Sequence, residues 1–240
     1  MNPRTRFWLV TLAALLGILL TLALGRWQLG RAAQKEALQA DMQVRARSPV
    51  LQGHDLLTLA DPLAAVHRPV RLSGQWLAGQ TVFLDNRPMA GRVGFYVLTP
   101  FQLEGSQTVV LVQRGWVPRN FVDRSQVPQP LTPAGAVVIQ GRIAPSPSAL
   151  YELGAASTGL IRQNLSLEAF RKETGLPLWG GTIVQTDAAA DGLLRDWPAP
   201  AAGVEKHHGY AFQWFGLSAL ITLLYVWFQI VRKFRSSSRA

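Results

Sequence analysis

The sequence predicts a membrane protein in which two transmembrane helices flank a β-rich α+β extracytoplasmic domain. Three observations predict it. Two runs, Phe7–Leu24 and Tyr210–Val231, contain no charged residue. The stretch between them breaks into short segments rich in Val, Ile, Thr and aromatics, separated by Gly, Pro, Asn and Asp. The short tails beyond the two runs carry six basic residues and no acidic one. The division that follows is a cytoplasmic N-terminus at 1–6, transmembrane helix 1 at 7–25, a periplasmic domain at 26–209, transmembrane helix 2 at 210–231 and a cytoplasmic C-terminus at 232–240.

The first run has 18 uncharged residues before Gly25-Arg26, and about 20 apolar residues span a hydrocarbon core as a helix. A cleaved signal peptide, with Ala23-Leu24-Gly25 as its cleavage site, is the alternative. The apolar region of such a peptide is about 7–15 residues, so the length favours a retained anchor. Gly25 to Arg47 is rich in Ala, Gln, Leu and Arg, which favour helix, and Ser48-Pro49 ends it.

Strands are expected over Pro69–Leu77, Thr81–Asn86, Val93–Thr99, Thr108–Trp116, Ala136–Ile143 and Thr182–Gln185, forming an antiparallel β-rich domain. One helix interrupts them. Ser166 caps Leu167–Thr174 and Gly175 stops it, with Leu167 and Phe170 turned together towards the core. Pro118–Gly135 reads as an irregular loop, and Asp187–Gly203 as a linker to the second apolar run.

That second run carries Tyr210 and Trp214 near one end and Tyr225, Trp227 and Phe228 near the other, an interfacial aromatic belt. Arg232-Lys233-Phe234-Arg235 follows it. Excess Lys and Arg mark the cytoplasmic side, which puts the C-terminus in the cytoplasm. Two spans then return the N-terminus there and leave the central domain in the periplasm of a cell inner membrane.

The net charge of +10 invites a nucleic-acid reading, but the distribution excludes it. Arg4, Arg6, Arg232, Lys233, Arg235 and Arg239 lie outside the apolar runs. The middle holds 18 Lys/Arg against 14 Asp/Glu, whereas a nucleic-acid binder concentrates basic charge on its folded face. The chain has no cysteine, so thiol chemistry and Cys-based zinc sites are out. Met1, Met42 and Met89 form no soft cluster for Cu(I). Gly-x-Ser-x-Gly in the soluble part, a Walker loop and His-Glu-x-x-His are all missing, and a binding role without turnover is expected.

Four histidines stand at 54, 67, 207 and 208. His54 and His67 lie in loop-like sequence and read as surface residues. His207, Tyr210 and Trp214 stand at i, i+3 and i+7 and share a helix face. Imidazole is an axial ligand for haem iron, and flat aromatics suit a porphyrin wall; an ordinary interfacial histidine within an aromatic belt explains the same spacing. Gln213, inside the apolar run, is expected to face protein or ligand, because an unpaired amide in hydrocarbon is costly. Arg87, Arg92, Arg114 and Arg119 lie beside expected strands, as carboxylate binders or as solvated surface and salt bridges.

Four stretches in order resemble a known family. They are Leu24-Gly25-Arg26-Trp27-Gln28-Leu29-Gly30-Arg31 with Lys35 after it; Asn86-Arg87 followed by Gly91–Phe101; Leu111–Pro118, where Gln113 replaces the family's Asn; and His207–Leu217. The chain resembles the Surfeit locus protein 1 family, the assembly factors of cytochrome c oxidase, across both anchors and the domain between. The resemblance implies a protein that is not an enzyme and helps build the haem–copper oxidase. It would handle haem a for subunit I, with cytochrome c oxidase subunit I, haem a synthase and membrane lipid as partners. The family's implicated histidine falls on His207, so His207 becomes the iron ligand. Tyr210 and Trp214 line the porphyrin, Gln213 meets a polar edge, and Arg26 or Arg31, beside Trp27, meets the propionates. His208 competes as ligand. The alternative is a non-haem membrane scaffold that stabilises nascent subunit I.

Overall fold

The computed structural model describes residues 2–120, 122–123, 126–147, 159–188, 190–197 and 203–232 (backbone only at 3). The basic run after Arg232 and residues 198–202 of the expected linker lie outside them. The chain divides into two compact units, Met1–Asp41 with Ala199–Ala240, and Met42–Pro198.

The first unit is a helix pair. Helix α1 runs unbroken over Pro3–Ala46. It passes through the first apolar run and stops one residue before the expected Arg47, where Ser48-Pro49 disfavours the helical conformation. The last helix, taken up again below, spans Val204–Tyr225 and widens into a π-helical turn over Val226–Val231. Both are long and apolar enough to cross a membrane. Leu12, Leu15, Leu16, Leu19 and Leu20 on the first and Phe212, Leu220, Leu223 and Leu224 on the second are exposed, the opposite of a soluble protein's buried core helix.

The second unit is β-rich. Strand β1 (Leu51–Gln52) leads into a short helix α2 (Gly53–Thr58), then come β2 (Pro69–Trp76), β3 (Val82–Met89), β4 (Arg92–Leu103), β5 (Val109–Pro118), β6 (Ala136–Ala144) and β7 (Ile161–Arg162). Helix α3 (Leu167–Thr174), strand β8 (Leu178–Gln185) and, beyond the unit, helix α4 (Val204–Tyr225) complete the order. The sheet order is β1-β2-β6-β8-β5-β4-β3-β7, and β2 also pairs the end of β4. Strands β2, β6, β8, β5 and β4 therefore close on themselves, which removes most of the open edges of that ring. Every residue of β5 except Pro118 is buried, as a central strand covered on both faces should be.

The expected all-antiparallel pairing needs correction. β5 and β8 run parallel, as do β1 with β2 and β3 with β7. A parallel pair needs a long crossover, and the chain between β5 and β8 supplies one that carries β6 and α3. The β3–β4 hairpin turns on Ala90 and Gly91, both with positive φ (50° and 74°), the pattern that matches strand twist in two-residue hairpins. Helix α3 forms as expected: the Ser166 hydroxyl accepts from the Ala169 N–H, Gly175 closes the helix at φ 69°, and Phe170 is buried.

Asp187–Trp197 is not a linker. Leu194 and Trp116 exchange backbone hydrogen bonds of 2.8 and 2.9 Å, and the Trp197 indole donates to the Gln185 carbonyl at 2.7 Å. An Ala/Gly/Pro-rich composition hides such pairing because the bonds are made by backbone. The arginines expected at the surface also divide. Arg87 and Arg114 are buried and Arg92 is exposed. Arg87 donates to the Gln163 carbonyl, Arg119 pairs with Asp85, and Arg92 lies over the Trp116 ring. The Trp116 indole donates to the Arg87 carbonyl at 2.7 Å, so β5 is tied to the β3–β4 hairpin. Gly94 permits this closeness, since a Cβ there would stand 2.1 Å from the Val117 carbonyl oxygen and 2.5 Å from the Trp116 ring.

Candidate functional site

The helix pair collects the residues that the sequence singles out. Along α1, Thr21, Gly25, Gln28 and Ala32 recur at alternating steps of four and three residues and so share one face. Thr21, Gly25 and Ala32 are buried. Along α4, His207, Ala211, Phe215, Ser218, Thr222 and Tyr225 follow one another at steps of four or three and share a face, and Ala211 and Ser218 are buried. The two faces meet antiparallel. The Thr11 and Tyr225 hydroxyls are 2.9 Å apart at one end, and His207 meets Gln28 at the other. Between them a Cβ on Gly25 would lie 2.7 Å from the Phe215 ring. Small residues that let helix backbones approach are the usual material of such contacts. Thr21 donates to the Gly17 carbonyl at 2.8 Å, so its hydroxyl is satisfied inside an apolar run.

The first turns of α4 carry the chemistry. Nδ1–H of His207 donates to Gln28 Oε1 at 2.7 Å. An amide oxygen only accepts, so Nδ1 holds the proton and the neutral ring keeps its lone pair on Nε2. A metal-binding imidazole is oriented in this way when its other nitrogen donates to an oxygen. His208 Nε2 lies 3.1 Å from Glu36 Oε1 in an exposed pair. Among the described residues no group of three or more His, Cys, Asp or Glu could hold a metal ion, so His207 and His208 are single donors rather than parts of a cage.

The structure brings some expected residues together and separates others. Tyr210, exposed, stands one turn from His207, and Trp214, half-buried, stands two turns from it on the same side of α4. Arg31 lies one turn beyond Gln28 on α1 and donates to Gln34 Oε1 at 3.2 Å. Trp27 is exposed beside Gln28. Gln213 is exposed and lies two residues from both Ala211 and Phe215. Residues two apart on a helix do not share a face, so Gln213 points away from α1 and from His207. Arg26, exposed and two residues before Gln28, is turned from the α4-facing side for the same reason. Sequence reasoning missed Gln28 as a site residue, although its four-residue step to Ala32 and three-residue step from Gly25 mark it as facing a partner helix.

The SURF1 family model matches residues 15–219 of the chain. A SURF1-like protein of Rickettsia bellii is 28% identical over 227 residues, which cover 89% of this chain and 88% of that one. One from Rickettsia prowazekii is 30% identical over 220 residues, covering 87% of this chain and 84% of its own. A SURF1-like protein of Drosophila melanogaster is 28% identical over 89% of this chain and 75% of its own length. The matched region takes in Gln28, His207 and the whole β-rich unit, and on that footing the chain belongs to the SURF1 family.

Proposed function

We propose that this protein is a membrane-anchored assembly factor for the haem–copper cytochrome c oxidase, which receives haem a at His207 and assists its insertion into subunit I without catalysing a reaction. The observation that carries the proposal is the His207–Gln28 hydrogen bond of 2.7 Å. It holds the imidazole with Nδ1 protonated and Nε2 available as an iron ligand. When bound, haem would supply an iron centre for the His207 imidazole to ligate. The chain's own residues do the rest: Gln28 fixes the ring and its tautomer, and Trp214 and Tyr210 offer aromatic surface on the same side. Arg31 offers a guanidinium to a carboxylate. His208 is occupied with Glu36, which favours His207 as the ligand.

Membership of the SURF1 family supports the assembly role. The exposure of most apolar side chains on α1 and α4 supports anchoring in a membrane, because a surface of that size in water would aggregate. Both termini would then be cytoplasmic and the β-rich domain periplasmic, in the cell inner membrane, with haem a synthase upstream of this protein.

The test is an absorption spectrum of detergent-purified protein from cells that make haem a. The expected result is a Soret band that is lost in His207→Ala and kept in His208→Ala. A haem-free wild-type protein that still co-isolates with subunit I would replace this reading with a non-haem scaffold. A C-terminal reporter accessible from outside the cell would overturn the topology.

A further inference from the structure

The β-rich unit carries an open cavity of about 550 Å³ in which the proposed function has no part. It lies where β8 ends. β6 pairs β8 only over Gly141–Ala144, so Ala136–Gln140 has β2 on one edge and no strand among the described residues on the other. Gln140 faces that open side: its carbonyl accepts from the Thr186 N–H at 2.9 Å and its N–H donates to Asp187 Oδ2 at 3.4 Å. Along an extended strand the backbone groups of alternate residues point to the same edge, so Val138, which is exposed, presents its N–H and C=O there too.

The cavity is lined by Trp76, Leu131, Val137 and Ile139 together with polar and charged side chains. The charged groups balance. Arg114, 1% exposed, stacks 4.5 Å from the Trp76 ring centroid and donates to Thr132 Oγ1, the Leu131 carbonyl and Asp191 Oδ2 at 2.7, 2.8 and 3.1 Å. Arg195 donates to Asp191 Oδ2 at 2.6 Å and to the Arg114 carbonyl at 2.6 Å. Two guanidinium groups and the carboxylates of Asp187 and Asp191 thus balance, which disfavours both a cationic and an anionic occupant.

Two polar atoms remain. Gln185, 5% exposed, buries its Oε1 with no hydrogen-bond partner among the described residues, as Arg114 does its Nε, whereas Asp187 Oδ1 faces the Arg195 guanidinium at 3.8 Å. A buried polar atom left unpaired is costly. An acceptor and a donor, beside apolar side chains and an open strand edge, complement the amides of a peptide. We propose that this cavity binds an extended, uncharged peptide segment of another polypeptide. A backbone N–H of the peptide meets Gln185 Oε1, a carbonyl meets Arg114 Nε, and an apolar side chain seats on Trp76 and Leu131. Addition of a strand to an exposed sheet edge is an established mode of peptide recognition.

The test pans the detergent-purified full chain against a library of N-acetylated, C-amidated heptapeptides that alternate apolar with uncharged polar residues. Peptides should be enriched, and their affinity should fall about tenfold or more in Gln185→Leu, the loss of a hydrogen bond in a desolvated site. Lys172→Ala, an exposed change on α3, should leave affinity unchanged. Gln185→Leu should melt no lower than wild type, because it removes an unpaired buried atom; Gln185→Met, of similar length and without an amide oxygen, should weaken binding equally if the leucine variant folds poorly. No enriched peptide, or peptides that bind Gln185→Leu as tightly as wild type, would overturn the proposal. Haem content and the His207 variants are separate readouts, so either proposal can fail alone.

Discussion

Gln28 and His207 stand 179 positions apart in the chain, and their side chains meet at 2.7 Å. The amide oxygen of Gln28 faces the ring and accepts, so Nδ1 of His207 is the nitrogen that carries the proton. If His207 ligates iron, Gln28 is the residue that makes it a competent ligand.

Gln28→Leu should therefore weaken haem binding without removing the ligand. Loss of an outer partner of a metal-binding histidine typically costs about 10–100-fold in affinity. Haem titration of the detergent-purified variant should show a loss in that range, smaller than that of His207→Ala. Equal affinity in Gln28→Leu and wild type would separate the hydrogen bond from haem binding.

Gly25→Val should loosen the helix pair. The added carbons meet the Phe215 ring, which a Cβ would already approach at 2.7 Å. Overpacking of this kind costs about 1–3 kcal/mol. Thermal melts of the helical circular dichroism signal in detergent should fall accordingly. Adding Phe215→Ala should recover part of the loss, since residues in contact are energetically coupled.

Asp191→Ala should destabilise the β-rich unit. Asp191 accepts from Arg114 at 3.1 Å and from Arg195 at 2.6 Å. Burial lowers the Arg114 pKa from its ordinary value and Asp191 raises it, so removing the carboxylate leaves a buried charge uncompensated. Breaking a buried ion pair costs about 3–5 kcal/mol. Denaturant unfolding should show a loss of that order, and Arg114→Leu combined with Asp191→Ala should cost less than the sum of the two single changes.

The Arg162–Glu173 pair supplies a pH test. Two charge-assisted bonds of 2.7 Å join them, and the hydrogen bond to Arg162 holds the Glu173 carboxyl below its ordinary value of 4.5. A carboxylate with a depressed folded-state pKa stabilises the fold above about 4.5 and loses that contribution as pH falls through the folded-state value. Glu173→Gln should thus be slightly less stable than wild type at pH 7, by under about 1 kcal/mol because Glu173 is partly exposed. The two melting curves should converge as the pH falls below the depressed value. A stability gap independent of pH would remove the pair from the account.

Much of the fold was legible in the sequence because the signals are local. The two apolar runs declare themselves by length. The strands over Pro69–Trp76 and Ala136–Ala144 lie within a residue of where β-branched content predicts them, and Ser166 and Gly175 bracket α3 as written. At the candidate site, helical spacing alone puts His207, Tyr210 and Trp214 on one side. Gln213 shows the limit of the same reasoning: its cost in hydrocarbon predicts a partner, but the face it occupies is decided by where the other helix lies.

The sequence by itself determined the two apolar helices, α3 and the strands β2 to β6 and β8, since caps, periodicity and turn residues act within a few positions of each other, while the two-residue strands β1 and β7 and the short α2 carry too few residues for such a pattern. Only the tertiary structure decided the parallel β5–β8 pairing, the closure of β2 onto β4, the docking of Asp187–Trp197 beside Trp116, the burial of Arg114 and the meeting of Gln28 with His207. Each of these joins residues tens to almost two hundred positions apart. Their pairing depends on how the chain closes in space, and a charged or amide side chain carries no local mark of the partner that will bury it.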